Sequence, residues 1–103
     1  MAEAQERMVA RKKQARAEAQ KIAQFLRELY GCSRVVGIGS TFNEKKFTEQ
    51  SDIDLVVWGL SPGKYFSISS EIGDLTSFEV DLIPAENARP LILQLADQEG
   101  VEL

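Results

Sequence analysis

The stretch Ser51-Asp52-Ile53-Asp54-Leu55-Val56-Val57-Trp58 decides how this chain is read. It is rich in apolar and β-branched residues, and Gly59 closes it, which predicts a strand over residues 52–58. Successive side chains of a strand point to opposite faces. Ile53, Leu55 and Val57 therefore share one face, and Asp52 and Asp54 share the other. Two residues of strand rise set the two carboxylates roughly 6.5–7 Å apart along the chain. Side chains at that spacing can lean together around divalent ions about 3.5–4 Å apart, the separation found in two-metal phosphoryl-transfer sites. Taken alone, Asp52 reads equally well as a turn acid after Ser51.

Working outward, Phe78-Glu79-Val80-Asp81-Leu82-Ile83 repeats the logic and is stopped by Pro84. Phe78, Val80 and Leu82 form its apolar face, and Asp81 sits on the other with Glu79. If the two strands pair, Asp81 joins Asp52 and Asp54. Three carboxylates with no basic partner repel one another. They make sense around an oxygen-seeking divalent cation, and Mg²⁺ is the expected one. Upstream, Arg34-Val35-Val36-Gly37-Ile38 is a short buried strand that ends at Gly39-Ser40. Glycine lets a phosphate approach the backbone, and the following N–H groups and the Ser40 hydroxyl can donate to it. A phosphate bound here, with ions on the next strand, would place a nucleoside triphosphate between the two.

The remaining elements frame these strands. Residues 2–30 contain no Gly or Pro and are dominated by Ala, Glu, Gln, Lys and Arg, which predicts one long helix ended by Gly31. Its second half carries an apolar stripe of Ile22, Phe25, Leu26 and Leu29. Its first half has little to bury, so residues 1–18 are expected to project from a body formed by residues 19–103. Thr41 to Gln50 reads as a short helix or loop. Ser61-Pro62 opens a helix with a stripe of Tyr65, Phe66, Ile68, Ile72 and Leu75. A last helix begins near Asn87–Pro90, buries Leu91, Ile92 and Leu95, and is capped by Gly100.

Composition bounds the chemistry. A chain of 103 residues forms one small domain. It has no histidine and one cysteine, Cys32, which excludes a Ser-His-Asp triad and a Cys-His dyad and leaves a zinc site without its usual ligands. A single cysteine also suits a reducing compartment, and the first thirty residues have no apolar signal region, so a cytoplasmic location away from membranes is expected. The formal charge is -4, which argues against nucleic acid as a partner. The charge is uneven. Residues 1–30 hold seven basic and four acidic residues, whereas residues 31–103 hold five basic and twelve acidic. The basic helix reads as a solvated face, or as an arm that packs on a partner or a second copy of the chain.

Gly39-Ser40, then Ser51-Asp52-Ile53-Asp54-Leu55, then Val80-Asp81-Leu82-Ile83 resembles the minimal nucleotidyltransferases of the polymerase-β-like superfamily. The resemblance runs from about Ala19 onward. It implies an α/β nucleotidyltransferase fold, a mixed sheet flanked by helices. It implies Asp52 and Asp54 as metal ligands, Asp81 as the third acid (ligand or base), two Mg²⁺ ions, ATP as substrate, and Gly39 and Ser40 as the triphosphate cradle. It further implies a HEPN-domain RNase toxin as partner, with the nucleotidyltransferase acting as antitoxin by moving AMP to a tyrosine of the toxin. The chain departs from the family pattern in one respect. The arginines usual after Gly-Ser are replaced by Thr41 and Asn43, and Lys45 and Lys46 are the nearest cations left to meet the phosphates. Two other readings compete: a degenerate module that neutralises its partner by binding alone, and a transferase acting on a small molecule.

Overall fold

The computed structural model describes the backbone of residues 2–103 and the side chains from Gln5 onward. The elements are α1 (Ala2–Tyr30), β1 (Arg34–Ile38), β2 (Ile53–Trp58), α2 (Tyr65–Leu75), β3 (Val80–Pro84), α3 (Pro90–Glu99) and β4 (Val101–Glu102). One-turn 3-10 helices at Pro62–Lys64 and Ala85–Asn87 lead into α2 and follow β3. The strands form one mixed sheet in the order β3-β2-β1-β4. β1 runs antiparallel to both β2 and β4, and β2 and β3 run parallel. A parallel pair needs a crossover connection, and α2 supplies it.

The sheet is covered on both faces. Val35, Ile53, Leu55, Val57 and Leu82 pack into a core with Ile22 and Leu26 of α1 and Ile68 and Ile72 of α2. Val36, Ile38 and Val56 face the other way into a smaller core with Ala96 of α3, against which Trp58 and Ile83 also pack. Because both faces are covered, β2 reads as apolar nearly throughout. The expected bounds of α1 and β1 match those observed, and β2 and β3 each start slightly later than expected.

Several details differ from the sequence reading. No helix forms between β1 and β2. The Gly39 carbonyl accepts from the N–H groups of Phe42 and Asn43 at 2.9 and 3.0 Å, giving a single turn followed by loop. Phe42 and Phe47 are buried and pin that loop to the α1-side core, with the Phe42 ring lying where a Cβ on Gly37 would be. β4 is too short for its two residues to show a period, and it forms only because β1 has a free edge. Its strand pairing is backed by Arg34, which stacks over Trp58 at 4.4 Å and pairs with Glu102. Leu29, Phe66, Leu75 and Leu91, expected inside, are exposed. Each sits within one residue of an end of its helix.

Packing reaches further up α1 than the division at residue 18. Ala15 is fully buried and Met8 packs against the α1-side core. Arg11 lies over the Phe78 ring at 4.7 Å. Alanines at the contact let the helix axis approach the sheet closely, so a segment poor in large apolar side chains is still held against the body.

Two substitutions separate core from margin. Ile68→Ala should lower stability by about 2–5 kcal/mol through lost burial and a residual cavity. Phe66→Ala, from a side chain 85% exposed, should change it by no more than about 0.5 kcal/mol. Chemical denaturation of the two variants checks both.

Candidate active site

The acids are placed by strand register. Asp54 of β2 pairs directly with Asp81 of β3, and Ile38 lies opposite Asp54 on β1. Residues opposite one another in a sheet share a face, so the Asp54 and Asp81 side chains leave the sheet on the same side. By parity this is the side of Val56 and Trp58, which α3 covers further along. Asp52 stands just before β2. Its carbonyl accepts from Thr41 Oγ1 at 3.0 Å, and this bond ties the start of the strand to the turn after Gly39. Thr41 is fully buried.

The electrostatics show how these acids feel one another. Burial pushes the Asp54 carboxyl up from its ordinary value to about 6, and the charges of Asp81 and then Asp52 push it the same way. No cation among the described residues offsets them. Among the described residues, no three Asp, Glu, Cys or His side chains are gathered into a closed ligand set. Like charges spread apart, and a divalent cation would supply the attraction that draws them together. An oxygen-only donor set of this kind fits Mg²⁺ rather than a softer metal. Asp52, Asp54 and Asp81 are the side chains that could hold it.

Gly39 borders Asp54. Its φ is +84°, and a Cβ there would lie 2.9 Å from Asp54 Oδ2. Only glycine gives both the left-handed bend and the room beside the carboxylate. The Ser40 hydroxyl donates to Ser51 Oγ at 3.0 Å, and Ser51 Oγ in turn accepts from the Thr48 N–H at 2.9 Å. Within the turn, the N–H groups of Phe42 and Asn43 return to Gly39, while those of Ser40 and Thr41 take no part in its closing bonds. The first N–H groups of a turn are the ones an anion can use.

Lys45 and Lys46 are exposed. They line a groove of about 750 Å³ between the start of α1 and the loop, with Arg7, Met8, Lys12 and Phe47. None of the three aspartates, nor Gly39 or Ser40, lines that groove. Cys32 is buried, and burial pushes its thiol pKa up, so it is no nucleophile. The sequence reading passed over Thr41 and Ser51, which brace the bend. Their only signal is that both are small hydroxyl residues flanking Gly-Ser and Asp-x-Asp.

Gly39→Ala should lower stability by about 1–2 kcal/mol, from the left-handed φ alone. Gly63→Ala, where a Cβ meets open space and φ is not positive, should be neutral or stabilising by up to about 1 kcal/mol. Thermal or urea denaturation of the pair checks the contrast.

The geometry has counterparts among known proteins. A family profile for the nucleotidyltransferase domain matches residues 19–101. No curated protein sequence matches the chain. Among solved structures, the chain resembles a toxin–antitoxin MntA-HpeT mutant in which two aspartates two positions apart are changed to glutamate. The TM-score is 0.67 at 18% identity, over 82% of this chain and 70% of the other. It also resembles a tyrosine-to-alanine mutant of MntA-HpeT, with TM-score 0.66 at 23% identity over 82% and 69%. A third likeness is to the complex of tri-AMPylated Shewanella oneidensis HEPN toxin with MNT antitoxin, with TM-score 0.63 at 20% identity over 85% and 70%. At these identities the solved structures speak to the fold, a mixed sheet with a long N-terminal helix. The profile match spans most of the sequence, and the chain therefore belongs to the nucleotidyltransferase domain family.

Proposed function

We propose that the chain is a Mg²⁺-dependent nucleotidyltransferase that moves AMP from ATP to a hydroxyl, and that the acceptor is a tyrosine of a HEPN-domain toxin for which this chain is the antitoxin. The observation that carries the transferase reading is the Asp54–Asp81 pairing on one sheet face, with the Gly39 bend against Asp54. The acceptor class is supported by the complex of an AMPylated HEPN toxin with its MNT antitoxin, which shares the fold.

Asp52, Asp54 and Asp81 would hold the metal. When bound, Mg²⁺ neutralises phosphate charge and aligns the entering and leaving oxygens for in-line displacement. The Ser40 N–H, with the Ser40 hydroxyl turned away from Ser51 Oγ, binds phosphate oxygens. Gly39 leaves them room. Asp81, the more exposed member of the pair, takes the proton of the acceptor hydroxyl at a carboxylate oxygen. The hydroxyl oxygen forms its bond to the α-phosphorus, the bond from that phosphorus to the bridging oxygen breaks, and pyrophosphate leaves with the electron pair.

Binding-only neutralisation is the second reading. The turn favours it in one respect: Thr41 and Asn43 stand where arginines are usual, and Thr41 is buried on Asp52 rather than free for phosphate. Mass spectrometry separates the two. Purified chain, ATP, Mg²⁺ and HEPN toxin should give the toxin a mass gain of AMP, and Asp54→Asn should cut the rate by at least about a hundredfold. No gain with wild type, together with full protection of cells by Asp54→Asn, would leave binding alone as the function.

The acid cluster also predicts how stability depends on pH. Asp54 binds its proton more tightly folded than unfolded, so its contribution favours the fold at low pH. That contribution is lost as pH rises from about 4 through about 6. Without Mg²⁺, Asp54→Asn should flatten this fall and leave the protein more stable at pH 7, on the order of 1 kcal/mol once solvent screening of a half-exposed group is allowed for. Urea denaturation at a series of pH values, with chelator present, checks the sign.

A further inference from the structure

We infer that the first half of α1 is part of the site: Arg16 and Lys12 position the loop that follows Gly39-Ser40. The inference rests on reading that loop as the phosphate cradle. Arg16 Nε donates to the Thr41 carbonyl at 2.7 Å, and Arg16 Nη2 donates to the Phe42 carbonyl at 3.4 Å. Lys12 Nζ donates to the Asn43 carbonyl at 2.6 Å and to the Lys45 carbonyl at 3.0 Å. Two side chains one helical turn apart thus collect four loop carbonyls from 25 to 33 residues away in sequence.

The helix can act as a fixed jig because it is itself held. Ala15 and Ala19, on either side of Arg16, are fully buried against the body. The loop has no comparable backbone anchor. Its residues are polar, it belongs to no helix or strand, and Phe42 and Phe47 hold it only by their side chains. The turn is closed from inside by the Phe42 and Asn43 N–H groups returning to Gly39. Arg16 closes it from outside, on the carbonyls of Thr41 and Phe42. Charged donors make the stronger hydrogen bonds of this kind, so removing Arg16 frees the turn to exchange conformations.

The same pair answers the charge deficit of the loop. Thr41 and Asn43 bring no positive charge to a triphosphate. Arg16 and Lys12 place two fixed cations behind the cradle. They touch loop carbonyls rather than phosphate, so they are positioning residues. They account for two of the seven basic residues in the first thirty positions.

Hydrogen exchange on the full, nucleotide-free chain reads the positioning directly. Arg16 is exposed, so Arg16→Ala leaves the core intact. In that variant the Phe42 and Asn43 amides should exchange about tenfold faster than in wild type, while β1 and β2 amides keep their rates. Lys13→Ala, which removes a charge from an exposed position of α1, should change neither. Unchanged exchange in both Arg16→Ala and the double variant Lys12→Ala/Arg16→Ala overturns the inference, whether or not the chain transfers nucleotide. With MgATP and HEPN toxin, Arg16→Ala should raise KM for MgATP about tenfold and change kcat by less than about threefold. Arg16→Lys should recover part of the loss. An equal KM rise in Lys13→Ala would mean long-range charge rather than positioning and overturns the inference. Absence of any transfer by wild type would remove the proposed function and leave the exchange rates to decide the role of Arg16.

Discussion

The register of β2 on β3 is the constraint from which the rest of the site follows. A one-residue slip would turn Asp81 to the α1 side and drive Leu82 out of the core. The apolar set Ile53, Leu55, Val57 and Leu82 forbids that slip, because all four are buried in one core. The packing on one face of the sheet therefore fixes where the charges stand on the other. The acids need no contact of their own to hold them in place, and their mutual repulsion is borne by hydrophobic burial on the far side.

This division explains why Asp54 can be kept in an unfavourable state. A half-buried carboxylate beside two others is destabilising when ionised, and its pKa of about 6 records that cost. A surface loop could relieve such strain by moving away. A strand paired on both edges cannot, because Asp54 is opposite Ile38 on one side and Asp81 on the other. Rigid strands are where a cluster of like charges can be stored until a cation meets it.

Much of this was legible in the sequence, for a physical reason. Period-two alternation in residues 52–55 and 78–82 separates acids from apolar residues and so predicts which side chains share a face. The uninterrupted helix formers of residues 2–30 and the run at 34–38 were equally plain. Three things could not be read. β4 has two residues and no period. The exposure of Leu29, Phe66, Leu75 and Leu91 depends on how far each helix end reaches past its neighbours, and a stripe does not fix its own ends. The place of Lys45 and Lys46 depends on the path of an irregular loop, and that path is set by Phe42 and Phe47 finding the core and by cations from a distant helix.

That last dependence bears on how so small a fold builds a site. A loop can be braced by a following helix, whose backbone bonds order it locally. Here only one turn follows Gly39, and the peptide groups beyond it need partners from elsewhere. α1 supplies them, at the point where its small alanines bring its axis close to the body. The basic character of α1 then has a structural cause as well as an electrostatic one. Arginine and lysine are the side chains long enough to reach from the helix to the loop, and carbonyl oxygens accept from both. An acidic body and a basic helix are accordingly two halves of one arrangement: the body gathers carboxylates on one sheet face, and the helix orders the backbone of the loop beside them, as the proposed metal and phosphate sites would require.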